Sequence, residues 1–264
     1  MLKNLNRCAL GIFVKCPHAE MIESLGIANI DFAVIDMEHT PLSPRDLYPL
    51  VLAAERRKLS LVVRIPQNLE SYFKWCKDLN IINIQVPHIE TREDVIYAIK
   101  HNNFSPKGER GLCRFVRAAD FSGLSKDEYL EAAENSNQLI LQIEGKRAIE
   151  NLDEIISEIP FGSSIFIGPY DLSQSLGMPG NIWDPLVIKT MEDIITRCGA
   201  KEIGVGTFTD TLEGIDFWSK KKLRFLQYAS DLNLLIQSAR SLMEKVKDVS
   251  LQHDNQILSN KKIP

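Results

Sequence analysis

The sequence predicts a single-domain α/β protein, a (β/α)8 TIM barrel, and three observations carry that expectation. Eight short β-branched and apolar runs recur along the chain, and each is followed by a segment whose apolar residues have helical spacing. Strict alternation of this kind favours an all-parallel sheet covered by helices. A doubly wound sheet ordinarily carries a Gly-rich phosphate turn after its first strand, and none follows Val14, so eight units in one chain of 264 residues fit a barrel better.

Residues 9–14 read as the first strand because they are continuously apolar, with a helix at 19–25 behind them. The second strand is 32–38, and its helix, 45–57, ends in Arg56, Arg57 and Lys58, cations that complement the helix dipole. Strands at 61–66 and 83–87 pair with helices at 69–79 and 92–101. A long stretch, 102–137, comes before the fifth strand at 138–144. It holds Pro106, Gly108 and Gly111, the arginines Arg110, Arg114 and Arg117, and a helical segment at 125–135. Insertions of that length are usually functional, and this one is expected at the active-site face. The remaining units are strands at 164–168, 202–208 and 224–229, with helices at 148–158, 186–197, 212–219 and 232–246. Residues 1–250 are thus read as the barrel and 251–264 as a polar tail.

Hydrophobic residues make up 44% and charged residues 25%, an ordinary globular balance that excludes disordered and low-complexity classes. The net charge of −4 leaves no basic excess to neutralise phosphates, so a small molecule is the expected partner and nucleic acid is not. Five scattered cysteines without a C-x-x-C pair read as reduced thiols, and no apolar run is long enough to span a membrane. The expectation is a cytoplasmic protein.

In a barrel the C-terminal strand ends build the active site, so polar residues at those ends become candidates. Glu144 closes one strand and Asp171 follows the next, and adjacent strands about 4.8 Å apart can bring the two carboxylates to one point. Hard oxygen donors without Cys suit Mg2+ or Mn2+; the competing reading is that both residues cap helices. Arg64 interrupts an apolar strand and requires an anion, either a substrate carboxylate or enolate oxygen, or a structural partner such as Asp36. His39 follows the second strand, and with a carboxylate such as Asp78 it would be a competent general acid/base. The turn Gly168-Pro169-Tyr170-Asp171 can offer backbone N–H groups to a carboxylate. His18, His88, His101 and His253 lack comparable neighbours, although His88 should face the site. Trp75, Trp183 and Trp218 read as packing residues.

These pieces carry a resemblance. The segments DFAVIDMEHTP (31–41), VRIP (63–66), VP (86–87), PKGERG (106–111), QIE (142–144) with NL (151–152), and IGPYDLSQSLG (167–177) resemble, in order and spacing, the HpcH/HpaI family of metal-dependent class II pyruvate aldolases, over about residues 11–242. The resemblance implies that Glu144 and Asp171 ligate a divalent metal, Mg2+ or Mn2+ foremost and Co2+ or Zn2+ as others, which a pyruvate moiety chelates. It implies that Arg64 holds the keto oxygen as it becomes an enolate, and that His39 and Asp78 form the dyad moving the aldol proton. Gln142 would lie beside the pyruvate, and the backbone at Gly168, Pro169, Tyr170 and Asp171 would hold its carboxylate. The implied reaction is reversible cleavage of a 2-oxo-4-hydroxy acid to pyruvate and an aldehyde, in a homo-oligomer, a hexamer with exchanged C-terminal helices. Two departures lie beside the dyad: Asn80-Ile81 replaces the usual Gly-Ala, and Thr40 stands where Gly is common. The alternatives are an acyl-CoA lyase of the citrate or malyl-CoA type, or a non-catalytic paralogue that binds a 2-oxo acid.

Overall fold

Eight parallel strands pair in chain order and the eighth closes on the first, giving the expected barrel. The strands of this computed structural model, which describes residues 7–260, are β1 (Ala9–Val14), β2 (Phe32–Asp36), β3 (Ser60–Arg64), β4 (Asn83–Val86), β5 (Gln138–Ile143), β6 (Ser164–Ile167), β7 (Gly204–Thr209) and β8 (Phe225–Ser230). Helices α1 (Ala19–Ile27), α2 (Pro44–Arg57), α3 (Glu70–Asp78) and α4 (Arg92–Asn102) follow the first four strands. Then come α5 (Lys126–Ser136), α6 (Lys146–Glu150), α7 (Leu152–Glu158), α8 (Pro169–Ser175), α9 (Pro185–Gly199), α10 (Leu212–Ser219) and α11 (Asp231–Asn260).

The two-residue period of the strands sorts side chains into two cores. Ala33, Ile35, Val63, Ile84, Leu141 and Ile165 point outward and pack under the helices. Phe32, Val34, Val62, Ile140, Phe166 and Phe225 fill the barrel's interior. Continued toward the C-terminal mouth, these inner rows change chemistry. Their next members are Asp36, Arg64, Gln142 and Gln227, joined by Gln85 on β4, and all five are buried. The site is therefore made by the same alternation that makes the core.

Several elements differ from expectation for identifiable reasons. The helix expected at 148–158 is broken at Asn151 into α6 and α7. The Gly-Pro turn after β6 is a helix, α8, because Pro169 occupies its first position, where a missing N–H costs nothing. The tail expected from 251 continues α11 as far as Asn260, and residues 261–264 lie outside the described residues.

The segment 102–137 does not lie at the active-site face. It links the end of α4 to the start of β5, and such a connection lies at the N-terminal mouth, opposite the strand ends that build the site. Its arginines are engaged there. Arg110 donates to the Tyr129 hydroxyl at 2.9 Å, Arg114 to the Leu124 carbonyl at 2.7 Å and Arg117 to the Leu79 carbonyl at 3.0 Å. The five cysteines are free thiols, and among the described residues no helix is long and apolar enough to cross a membrane.

Candidate active site

At the C-terminal mouth, β2 and β3 place Asp36 and Arg64 side by side in register. The guanidinium grips Asp36 with two nitrogens, Nε and Nη2, each at 2.9 Å, and Nη1 lies 3.0 Å from Glu38 Oε2. Lys15, just past β1, also pairs with Asp36. Burial pushes the Asp36 carboxyl up, but the hydrogen bonds and charges of Arg64 and Lys15 outweigh it and bring the carboxyl down to about 2. Arg64 thus does have the structural partner weighed above, and it also lines the cavity at the mouth. The ion pair fixes where the guanidinium points.

Glu144 leaves β5 inward and does not cap a helix; Gly145 is the cap residue of α6. One carboxylate oxygen, Oε1, accepts the His88 backbone N–H at 2.9 Å and lies 3.0 Å from His88 Nδ1, and the other accepts from Gln142 Nε2. His88 makes both approaches from a backbone with φ of 54°, a left-handed conformation uncommon for a residue with a side chain and often found at functional sites. Its Nε2 lies 3.2 Å from Glu38 Oε1, so the imidazole stands between two carboxylates. Burial raises the pKa of both Glu38 and Glu144, more than Arg64, Gln142 and His88 lower them; the charge of Glu38 adds to the rise at Glu144, and those of Asp36 and Asp171 to the rise at Glu38.

Asp171, in the first turn of α8, is exposed and lines the cavity, and its charge also raises the pKa of Glu38. Four carboxylates, Asp36, Glu38, Glu144 and Asp171, therefore gather around two permanent cations, Arg64 and Lys15. Glu38, His88 and Glu144 can bring one ligand atom each to within 4.8 Å of one another. Glu38 Oε2 is buried, with the Arg64 ion pair and the more distant His39 imidazole beside it. Excess negative charge and hard oxygen donors with one imidazole fit a divalent cation.

The cavity beside this cluster has a volume of about 360 Å3. Gln142, Gly168, Pro169 and Tyr170 line its inner side, and Phe13, Phe208 and Ala229 line its wall. Ala229 reaches it through an irregularity in which the β1–β8 register jumps from Ile12↔Tyr228 to Phe13↔Ser230. Across the mouth, the Tyr170 hydroxyl donates to Asp210 at 2.9 Å.

His39 lies on the cavity, with its Nε2 4.0 Å from Glu38 Oε2. Asp78 does not join it within one chain. A helix returns antiparallel to its strand, so Asp78, at the end of α3, lies at the opposite mouth, where its carboxylate is 3.4 Å from Arg110 Nη2. Asn80 adopts φ of 65° there, the backbone a glycine would supply, so the departure from Gly-Ala preserves the turn. Thr40 leaves its hydroxyl buried without a partner.

Sequence reasoning missed Lys15 and Asp210, named Glu38 at a strand end without giving it a role, and gave His88 none beyond facing the site. Lys15 and Asp210 were legible by parity: 9, 11, 13 and 15 form one inner row, and 206, 208 and 210 another. Nothing in the sequence signals His88's left-handed backbone.

Comparison with known proteins adds three findings. The family described as HpcH/HpaI aldolase/citrate lyase matches residues 9–238. A 2-dehydro-3,6-dideoxy-6-sulfogluconate aldolase of Pseudomonas putida is 32% identical over 238 residues, covering 90% of this chain and 92% of that protein, and a 5-keto-4-deoxy-D-glucarate aldolase of Citrobacter koseri is 28% identical over 241 residues, covering 91% and 93%. The crystal structure of an HpcH/HpaI aldolase/citrate lyase family protein from Burkholderia cenocepacia superposes with a TM-score of 0.87 at 27% identity, covering 93% of this chain and 97% of that one.

Proposed function

The chain belongs to the HpcH/HpaI aldolase/citrate lyase family, and from that premise we propose that it is a metal-dependent aldolase that reversibly cleaves a 2-oxo-4-hydroxy acid to pyruvate and an aldehyde. The observation that carries this reading is the gathering of Glu38, Glu144 and Asp171 against Arg64 at the mouth of a cavity large enough for a small acid. The aldolase names of the curated relatives support it.

Glu144 and Asp171 would hold the cation, with Glu38 and His88 as further donors. Their oxygens suit Mg2+ or Mn2+, and the imidazole extends the set to Co2+ or Zn2+. What a bound divalent cation supplies is Lewis acidity toward the oxygens of a 2-oxo acid. Arg64, already fixed by Asp36, offers its remaining N–H groups to the keto oxygen as negative charge develops there, an interaction stronger in the transition state than in the ground state. Gln142 donates beside it. The first-turn N–H groups of Tyr170 and Asp171, which a helix start leaves unpaired, face the carboxylate. His39 takes the aldol proton. The function is tested by deuterium exchange into the methyl group of pyruvate with Mg2+, Mn2+ or Co2+, followed by a screen of aldehydes for condensation; a protein that exchanges nothing with any of the three metals is not this enzyme.

Gly168 connects fold and ligand. A Cβ there would lie 2.8 Å from Glu144 Oε2 and 3.1 Å from Glu144 Cβ, so Gly168→Ala pushes the carboxylate out of place. Titration of the variant with Mn2+ is expected to show about 10–100-fold weaker binding, with the melting temperature nearly kept.

The partner of His39 is proposed to be Asp78 of a second copy, since the same chain holds Asp78 at the far mouth. A homo-oligomer, with a hexamer as the specific expectation, is further supported by α11, which exposes Leu235, Ile236, Leu242, Met243, Val246 and Val249 at helical spacing. Sedimentation should find an oligomer that Leu242→Glu with Val246→Glu dissociates. Mixed oligomers of His39→Ala and Asp78→Ala chains should regain activity that neither variant has alone; a fully active monomer refutes both statements.

A further inference from the structure

Beneath the site, three glutamines cross the barrel. Gln227 on β8 donates from Nε2 to Gln85 Oε1 at 2.6 Å, Gln85 on β4 donates from Nε2 to Gln142 Oε1 at 2.7 Å, and Gln142 donates to Glu144 Oε2. In an eight-strand barrel β4 and β8 are diametrically opposite, so the row spans the full interior. Gln85 and Gln227 are 0% exposed and Gln142 is 1% exposed.

The row has one possible direction. An ionised carboxylate only accepts, so Gln142 must turn its NH2 toward Glu144, which leaves its carbonyl toward Gln85. Gln85 must then donate to Gln142 and accept from Gln227. Each amide is oriented by the one above it, and the orientation ends at Gln227, whose Oε1 is buried without a partner. The layer's product lies at its other end: a fixed N–H on Glu144 Oε2 and a Gln142 amide that cannot rotate.

We propose that Gln85 and Gln227 are positioning residues that lock the amide of Gln142, and through it the carboxylate of Glu144, in the orientation that receives a divalent cation and a 2-oxo acid. The inference rests on the reading of Glu144 as a cation ligand. Neither residue touches substrate; each acts through the next, and the mutual polarisation of the chain strengthens the terminal bond.

Gln85→Met and Gln227→Met keep side-chain length and remove the donors. Mn2+ binding, followed by electron paramagnetic resonance without substrate, is expected to weaken about tenfold in Gln85→Met and less in Gln227→Met. The KM for pyruvate should rise in the same order. Unchanged Mn2+ affinity and KM in both variants would overturn the proposal and reduce the layer to filler. If either variant fails to fold, the intact protein labelled with 15N-glutamine gives the same answer: on adding Mg2+ the side-chain amides of Gln142, Gln85 and Gln227 shift in decreasing amount, and a response confined to Gln142 refutes the relay. Wild-type protein that takes up no Mn2+ refutes the reading of Glu144 itself, a result distinct from wild type and variants binding equally.

Discussion

Glu144→Gln is expected to lower metal-dependent exchange of the pyruvate methyl protons by roughly three orders of magnitude, the rate equivalent of about 4 kcal/mol. The substitution keeps the shape and removes the charge. It also sets an NH2 group against either the His88 N–H or the Gln142 amide, both of which now donate to the carboxylate. The loss should not come from unfolding. Burial raises the Glu144 pKa, so the folded state holds the proton more tightly than the unfolded state does. Stability from this group is therefore greatest below the ordinary carboxylate pKa and falls as pH rises through the raised value. At pH 7 an ionised Glu144 is a cost to the metal-free protein, and glutamine relieves it. The variant should melt near the wild-type temperature without metal, the relieved charge being set against the new donor–donor contact, and should lose the stabilisation that Mn2+ gives wild type. Exchange at the wild-type rate in this variant would remove Glu144 from the chemistry.

The fold was legible because barrel strands buried on both faces appear as bare apolar runs, and each one was placed within a few residues of its observed bounds. The interior half of the site was legible in the same way. Arg64 and Glu144 are charged residues closing strands that are mostly apolar, and a buried charge there needs a reason, whereas Gln142 entered only through the family resemblance. What sequence could not give was direction across the barrel. Asp78 and the 102–137 segment follow helices, and a helix ends at the mouth its strand began from, so both lie away from the site. His88 escaped because its role depends on a backbone conformation that its side chain does not advertise, and the role of Glu38 because it comes from Arg64 and His88, neighbours one and two strands away.

Arg64→Met should be damaging in two separable ways. The guanidinium holds Asp36, which is 0% exposed, through two contacts, and Glu38 through a third. Without it Asp36 keeps Lys15 and the backbone N–H groups of Glu38 and His39, and Glu38 keeps His88, with His39 at 4.0 Å. Stranding one partner of a buried ion pair costs about 3–5 kcal/mol, or roughly 10 °C in melting temperature for a chain of this size. The deficit must depend on pH with a definite sign. Asp36 has a folded pKa near 2, below its ordinary value of 3.8, so its contribution is present above about pH 4 and is lost as pH falls toward 2. Urea melts should therefore show the gap between wild type and Arg64→Met widest near neutral pH and closing in acid. Catalysis loses a further factor of about 100–1000, the cost of deleting one donor aimed at developing negative charge. Arg64→Lys separates the two effects. A lysine restores the charge beside Asp36 and Glu38 and should recover part of the melting temperature, but its single ammonium cannot grip Asp36 at two points and still face a keto oxygen. Exchange in Arg64→Lys should stay near the level of Arg64→Met. If it returned to the wild-type rate, Arg64 would be a structural ion pair with Asp36, and the donor to the keto oxygen would have to be sought at Lys15 or Gln142.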